Sequence, residues 1–196
     1  MEKLTDLEMV QKNPLNIILI ENPDVDVQLA TVNKDGLLLQ FIINPNREVQ
    51  ECAVRNNGDA IQFIADPDFE MQLIAVYSNS MSIRFIKDPN MPVQRAAIIH
   101  GGGGRAIQCI ENPEPHIQIM AFKQDSYQFK SPFEDEYKEI MKFRREYFTN
   151  TIKNIKDPHP KVQLYSVEHD INSIRYINNP HPDVLEYVKQ ELLKNL

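Results

Sequence analysis

Residues 44–67 read NPNREVQECAVRNNGDAIQFIADP, and their reading decides the fold. The stretch opens and closes on Asn/Asp-Pro. Val49 lies four and five residues before Ala53 and Val54, which puts all three on one helical face. Asn57-Gly58 reads as a helix stop, with glycine supplying the left-handed residue. A second, shorter apolar segment follows, with Ile61 three residues before Ile64 and Phe63 between them as a further core position. Pro67 ends it, because the residue before a proline is pushed out of helical geometry. Asn46 is placed to cap the first helix, and Glu48 puts negative charge in its first turn.

The same text recurs along the chain. Pro23, Pro45, Pro67 and Pro89 are 22 residues apart, and Pro113, Pro158 and Pro180 continue the series. Each follows Asn or Asp: Asn22, Asn44, Asp66, Asp88, Asn112, Asp157 and Asn179. Small residues recur at Thr31, Ala53, Ala75, Ala97, Ala121 and Ser166, where a neighbouring helix needs close approach. Phe41, Phe63 and Phe85 occupy one core column, in which Cys109 takes the fourth place. Helices this short are marginal alone, and stacking supplies the missing apolar surface. The sequence therefore predicts an all-α protein: a right-handed α-solenoid of about eight ~22-residue repeats. Each repeat pairs an α-helix with a short α or 3₁₀ segment, in one domain over 1–196. Residues 1–22 form an N-terminal cap repeat, 23–125 regular repeats, 126–156 an insertion, and 157–196 the last repeats and cap.

The pattern of Asn/Asp-Pro, Val-Gln, Ala-Val and Phe-Ile resembles the leucine-rich repeat variant and the wider HEAT-like group of α-solenoids. The resemblance covers about residues 5–190, outside the insertion. It implies α-helices alternating with 3₁₀-helices. The chain departs from the variant family in carrying Gln where Arg commonly follows the Val. With only Cys52 and Cys109, it implies no iron–sulfur cluster. Short arrays of this kind look like phage or bacterial proteins that act by binding another protein.

The formal net charge of −7 argues against a nucleic-acid partner, whose phosphates call for Lys and Arg. No run approaches the ~20 apolar residues of a membrane span, and no signal core opens the chain, so a cytoplasmic protein is expected. Both cysteines are expected as buried reduced thiols. None of the five histidines has metal-ligand spacing, and no nucleophile sits in register with a base. No catalytic residue, metal or cofactor is predicted.

Two polar columns stand out. Gln28, Gln50, Gln72, Gln94, Gln118 and Gln163 form one, either facing a ligand or bonding to the inter-repeat loops. Gln40, Gln62, Arg84, Gln108 and Arg175 form the other, facing outward from the second segment on the side that is concave in curved solenoids. The neighbouring positions vary, through Leu37, Asp59, Met81, Arg105 and Asn172, as on a recognition surface. Gly101–Gly104 lengthens one turn before Arg105; it reads as a helix–helix turn or as a cradle for a small anion.

The period breaks at 126–156. Ser131-Pro132-Phe133-Glu134 reads as a capping box opening a long helix over 133–155. Tyr127, Phe129, Arg144, Arg145 and Tyr147 make this insertion a candidate partner or homodimer surface. The function expected is a non-enzymatic protein–protein module, an inhibitor or adaptor, using the concave face and residues 126–150. The alternatives are a nucleic-acid-associated HEAT-like protein and a binder of a small anion at Gly101–Arg105.

Overall fold

The structure is a computed structural model that describes residues 4–101, 105–127 and 151–194. Among the described residues the chain is all-helical, without a strand. The α-helices are α1 (Asp6–Lys12), α2 (Val25–Lys34), α3 (Arg47–Asn56), α4 (Phe69–Ser78), α5 (Met91–His100), α6 (Pro115–Tyr127), α7 (Pro160–His169) and α8 (Pro182–Leu193). Between them run 3₁₀-helices: η1 (Pro14–Leu19), η2 (Gly36–Phe41), η3 (Gly58–Phe63), η4 (Ser80–Phe85), η5 (Ile107–Cys109) and η6 (Ile171–Tyr176). Of the helix expected over 133–155, residues 151–155 fall among the described residues; 151–153 are helical, and the helix ends before Asn154 and Ile155. No helix of the described residues is long and apolar enough to cross a membrane.

One residue makes the α-to-3₁₀ junction after α1, α2, α3, α4 and α7. The Asp35 amide donates to Thr31 O at 3.1 Å and closes α2. Its carboxylate accepts from Leu37 N at 3.0 Å and opens η2. Asn57 and Asn79 do the same for η3 and η4. These junction residues are extended, with φ of −151°, −146° and −148°, so no left-handed stop is present. The glycine is needed for a different reason: a Cβ on Gly36 would lie 2.3 Å from Ala53 O, and one on Gly58 2.4 Å from Ala75 O. The left-handed residues sit at the proline ladder instead, at Asn22 (φ 52°), Asn44 (φ 51°) and Asp88 (φ 47°). Asn and Asp tolerate that region best among non-glycine residues. The predicted caps are present, with Asp24, Asn46, Asp68 and Asn90 accepting from the amide three residues on at 3.0, 2.9, 2.9 and 3.2 Å.

The chain forms two compact units, Met1–Ala96 and Ala97–Leu196. In the first, each α-helix packs on its chain neighbour from α1 to α4, and so does each 3₁₀-helix from η1 to η4. Ala53 and Ala75 are fully buried at the close approaches. Polar hooks tie neighbours together: Asn56 Nδ2 donates to Asn33 O at 2.8 Å, and Ser78 Oγ to Arg55 O at 3.3 Å. Leu39, Ile61 and Ile83 fill the core from the 3₁₀ side, and Val32, Val54 and Val76 from the α side. Each such side chain stabilises by ~1.5–3 kcal/mol. In the second unit α6 packs on α7 and α7 on α8. Phe122, fully buried, meets the Tyr165 ring edge-on at 6.1 Å. A buried pair, Ser166 Oγ donating to Ser173 Oγ at 2.7 Å, joins α7 to η6.

Candidate functional site

The first glutamine column is a structural fastener. The Nε2 groups of Gln28, Gln50, Gln72, Gln94, Gln118 and Gln163 donate to the carbonyls of Pro23, Pro45, Pro67, Pro89, Pro113 and Pro158 at 2.8–3.0 Å. A proline leaves its preceding turn short of a donor but keeps its carbonyl, and the amide five residues on reaches back to it. In the second unit the other end of the amide is engaged too. Gln118 Oε1 accepts from His159 N at 3.2 Å, and Gln163 Oε1 from His181 N at 2.9 Å.

The second column faces outward. In the first unit Gln40, Gln62 and Arg84 are exposed, and so are Arg105, Gln108 and Arg175 in the second. Gln40 and Gln62 fold onto their own 3₁₀ turns, donating to Leu37 O at 3.1 Å and Asp59 O at 2.9 Å. Arg84 reaches from η4 to Asp59 Oδ2 of η3 at 2.6 Å and lies 4.6 Å from the centre of the Phe85 ring. Asp59 Oδ1 also accepts from Asn79 Nδ2 at 2.9 Å and from the buried Ser82 hydroxyl at 2.5 Å. The varied position beside the column is thus in part a joint between successive 3₁₀-helices.

The aromatic column departs from its reading as core. Phe41 is 43% exposed and Phe63 37%, while Phe85 and Cys109 are only partly covered. In the 3₁₀-helix Leu39 and Ile42 share the inner face and Gln40 turns away, while Phe41 follows buried Leu38 by one turn and lies at the margin of the core. Leu19, at the same place in η1, is 71% exposed, and Tyr176 in η6 is 40% exposed. Since η1 to η4 pack in chain order, Leu19, Phe41, Phe63 and Phe85 form a row beside Ile18, Gln40, Gln62 and Arg84. In the second unit Lys153 Nζ sits 4.2 Å from the centre of the Tyr176 ring. The row escaped the sequence because phenylalanine was assigned to the interior by type.

Other candidates resolve individually. Tyr127 is the last residue of α6. Phe129, Arg144, Arg145, Tyr147 and Gly102–Gly104 lie outside the described residues. His159 and His181 cap α7 and α8, their Nδ1 atoms accepting from Lys161 N and Asp183 N at 3.3 Å. Both cysteines are partly exposed rather than buried. Cys52 Sγ donates to Asn33 Oδ1 at 3.0 Å, and desolvation, then Glu48, pushes its thiol pKa up, away from nucleophilic character. On the α side, Arg47 pairs with Asp68 and with Glu70 at 3.0 Å. The Arg47 hydrogen bond, followed by the Met71 amide, holds the Asp68 carboxyl below its usual value.

Comparison with protein-family models, with curated proteins and with solved structures finds no match to this chain.

Proposed function

We propose that this chain is a non-enzymatic protein-binding module, an inhibitor or adaptor, and that the outward 3₁₀ face of its first unit is the binding face. The observation that carries the reading is the row of half-exposed Phe41 and Phe63 set beside exposed Gln40, Gln62 and Arg84. Large apolar side chains left open and rimmed by polar groups mark interaction surfaces, and phenylalanine and arginine are enriched in interface cores. The architecture that goes with this reading is a right-handed α-solenoid like the leucine-rich repeat variant and HEAT-like arrays. The alternation of α- and 3₁₀-helices and the identical junctions at Asp35, Asn57 and Asn79 support it. The 126–150 segment is proposed as a second contact on its sequence alone.

The test uses the wild-type chain and an F41S/F63S variant as baits in lysate of the source organism. Circular dichroism and thermal melting establish first that the variant folds. The reading expects a protein captured by wild type and lost from the variant. Identical capture by both baits, or none by either, overturns it.

A further inference from the structure

The chemistry of the partner is legible in what surrounds the row, on the reading that the row binds protein. The negative charge is lopsided: Met1–Ala96 carries 14 Asp and Glu against 8 Lys and Arg, while the whole chain is only −7. In that first unit the acids gather at the proline turns and the α-helix starts that follow each row residue. Glu21, Asp24, Asp26, Asp66 and Asp88 are all exposed there. Among the described residues none of these five carboxylates makes an ion pair. The apolar character runs furthest at the same end, where Leu19 is 71% and Ile43 86% exposed. An open apolar row bordered mainly by unneutralised carboxylates, with exposed Lys87 beside Asp88 at its Phe85 end, selects a ligand that is apolar on one side and cationic beside it.

Its backbone is constrained by spacing. Packed helices sit ~8–10 Å apart, which sets the step from one row residue to the next. An α-helix returns to the same face after seven residues, or ~10.5 Å, close to that step. A β-strand returns every two residues, ~6.6 Å, and falls out of register along the row. We propose that the row from Leu19 to Phe85 takes a basic amphipathic helix of a partner protein, with apolar side chains seated between the aromatics and Lys or Arg on the acidic border. Helix-in-groove recognition is a recurrent mode, and the border charges would raise the association rate more than the affinity.

The test titrates the folded full chain with three synthetic peptides. One is a Leu/Lys helix with apolar residues at i, i+3, i+4 and i+7. A second has the same composition with Leu and Lys alternating. The third is the helix with Glu for Lys. The helical Leu/Lys peptide is expected to bind, at least tenfold more weakly to F41S/F63S and to D66N/D88N, and progressively more weakly as salt rises. Equal binding of the alternating or the Glu peptide, no binding, or binding untouched by F41S/F63S overturns the proposal. If lysate capture still fails with F41S/F63S while the Leu/Lys helix does not bind, the binding face stands and only the partner chemistry falls.

Discussion

A Cβ at Gly58 would lie 2.4 Å from a backbone oxygen, that of Ala75, and 2.8 Å from Ser82 Oγ. The oxygen belongs to a packed helix and has nowhere to go, so Gly58→Ala is expected to cost ~1–3 kcal/mol in urea unfolding. An unchanged midpoint would mean that α4 and η3 sit further apart than described. Asp59 is the next sensitive residue. Asp59→Ala strips the acceptor from Asn79, Ser82 and Arg84 together, and the buried Ser82 hydroxyl is the costly orphan. A loss of ~1–3 kcal/mol is expected, partly recovered in D59A/S82A. The sequence showed Asp59 only as one varied position in a column; its role depends on what η4 brings to it. Asp68 gives a pH signature. Its folded pKa is depressed, so its contribution is present above the unfolded value of about 3.9 and is lost as pH falls through the lower folded value. The stability gap between wild type and Arg47→Gln is therefore expected at pH 7 and should close in acid. A gap that stays constant to pH 2 would contradict the pairing.

At the scale of the element, the helix and its short second segment are legible in the apolar spacing, while the 3₁₀ form is what the resemblance implies and the side-chain junctions emerge only in the structure. Asp35, Asn57 and Asn79 each end one helix and start the next. The left-handed residues were assigned to the wrong turn: glycine suggested them, but Asn22, Asn44 and Asp88 hold them. Glycine tolerates both a positive φ and a close approach, and composition alone does not separate the two. The glutamine fastener makes a graded prediction. Gln72 donates to Pro67 O at 2.9 Å, so Gln72→Met is expected to cost ~0.5–1.5 kcal/mol. Gln163 donates to Pro158 O and accepts from His181 N, and it is only 6% exposed. Gln163→Met leaves that amide unsatisfied and should cost more, ~1–3 kcal/mol. Equal losses in chemical denaturation would show that the second bond contributes nothing.

For the whole molecule, the proline ladder announces helices in series, and the described residues form α- and 3₁₀-helices without a strand. The candidate binding face was half legible. Gln40, Gln62 and Arg84 were read as outward, and they are exposed. Their aromatic neighbours are expected inside by residue type, and the period of three, which pairs Phe41 with buried Leu38 and Phe63 with buried Ala60, does not correct this; their exposure of 43% and 37% emerges only from the packing. The uneven charge between the two units could be counted in the sequence, but its meaning needed the row beside it. The most direct test of the proposed binding face is hydroxyl-radical footprinting of the free chain and of the chain with its captured partner. Phe41 and Phe63 are expected to be oxidised readily in the free protein and protected at least severalfold in the complex, with buried Phe122 silent in both. Phenylalanines that resist oxidation when free, or that react equally in the complex, would contradict the account.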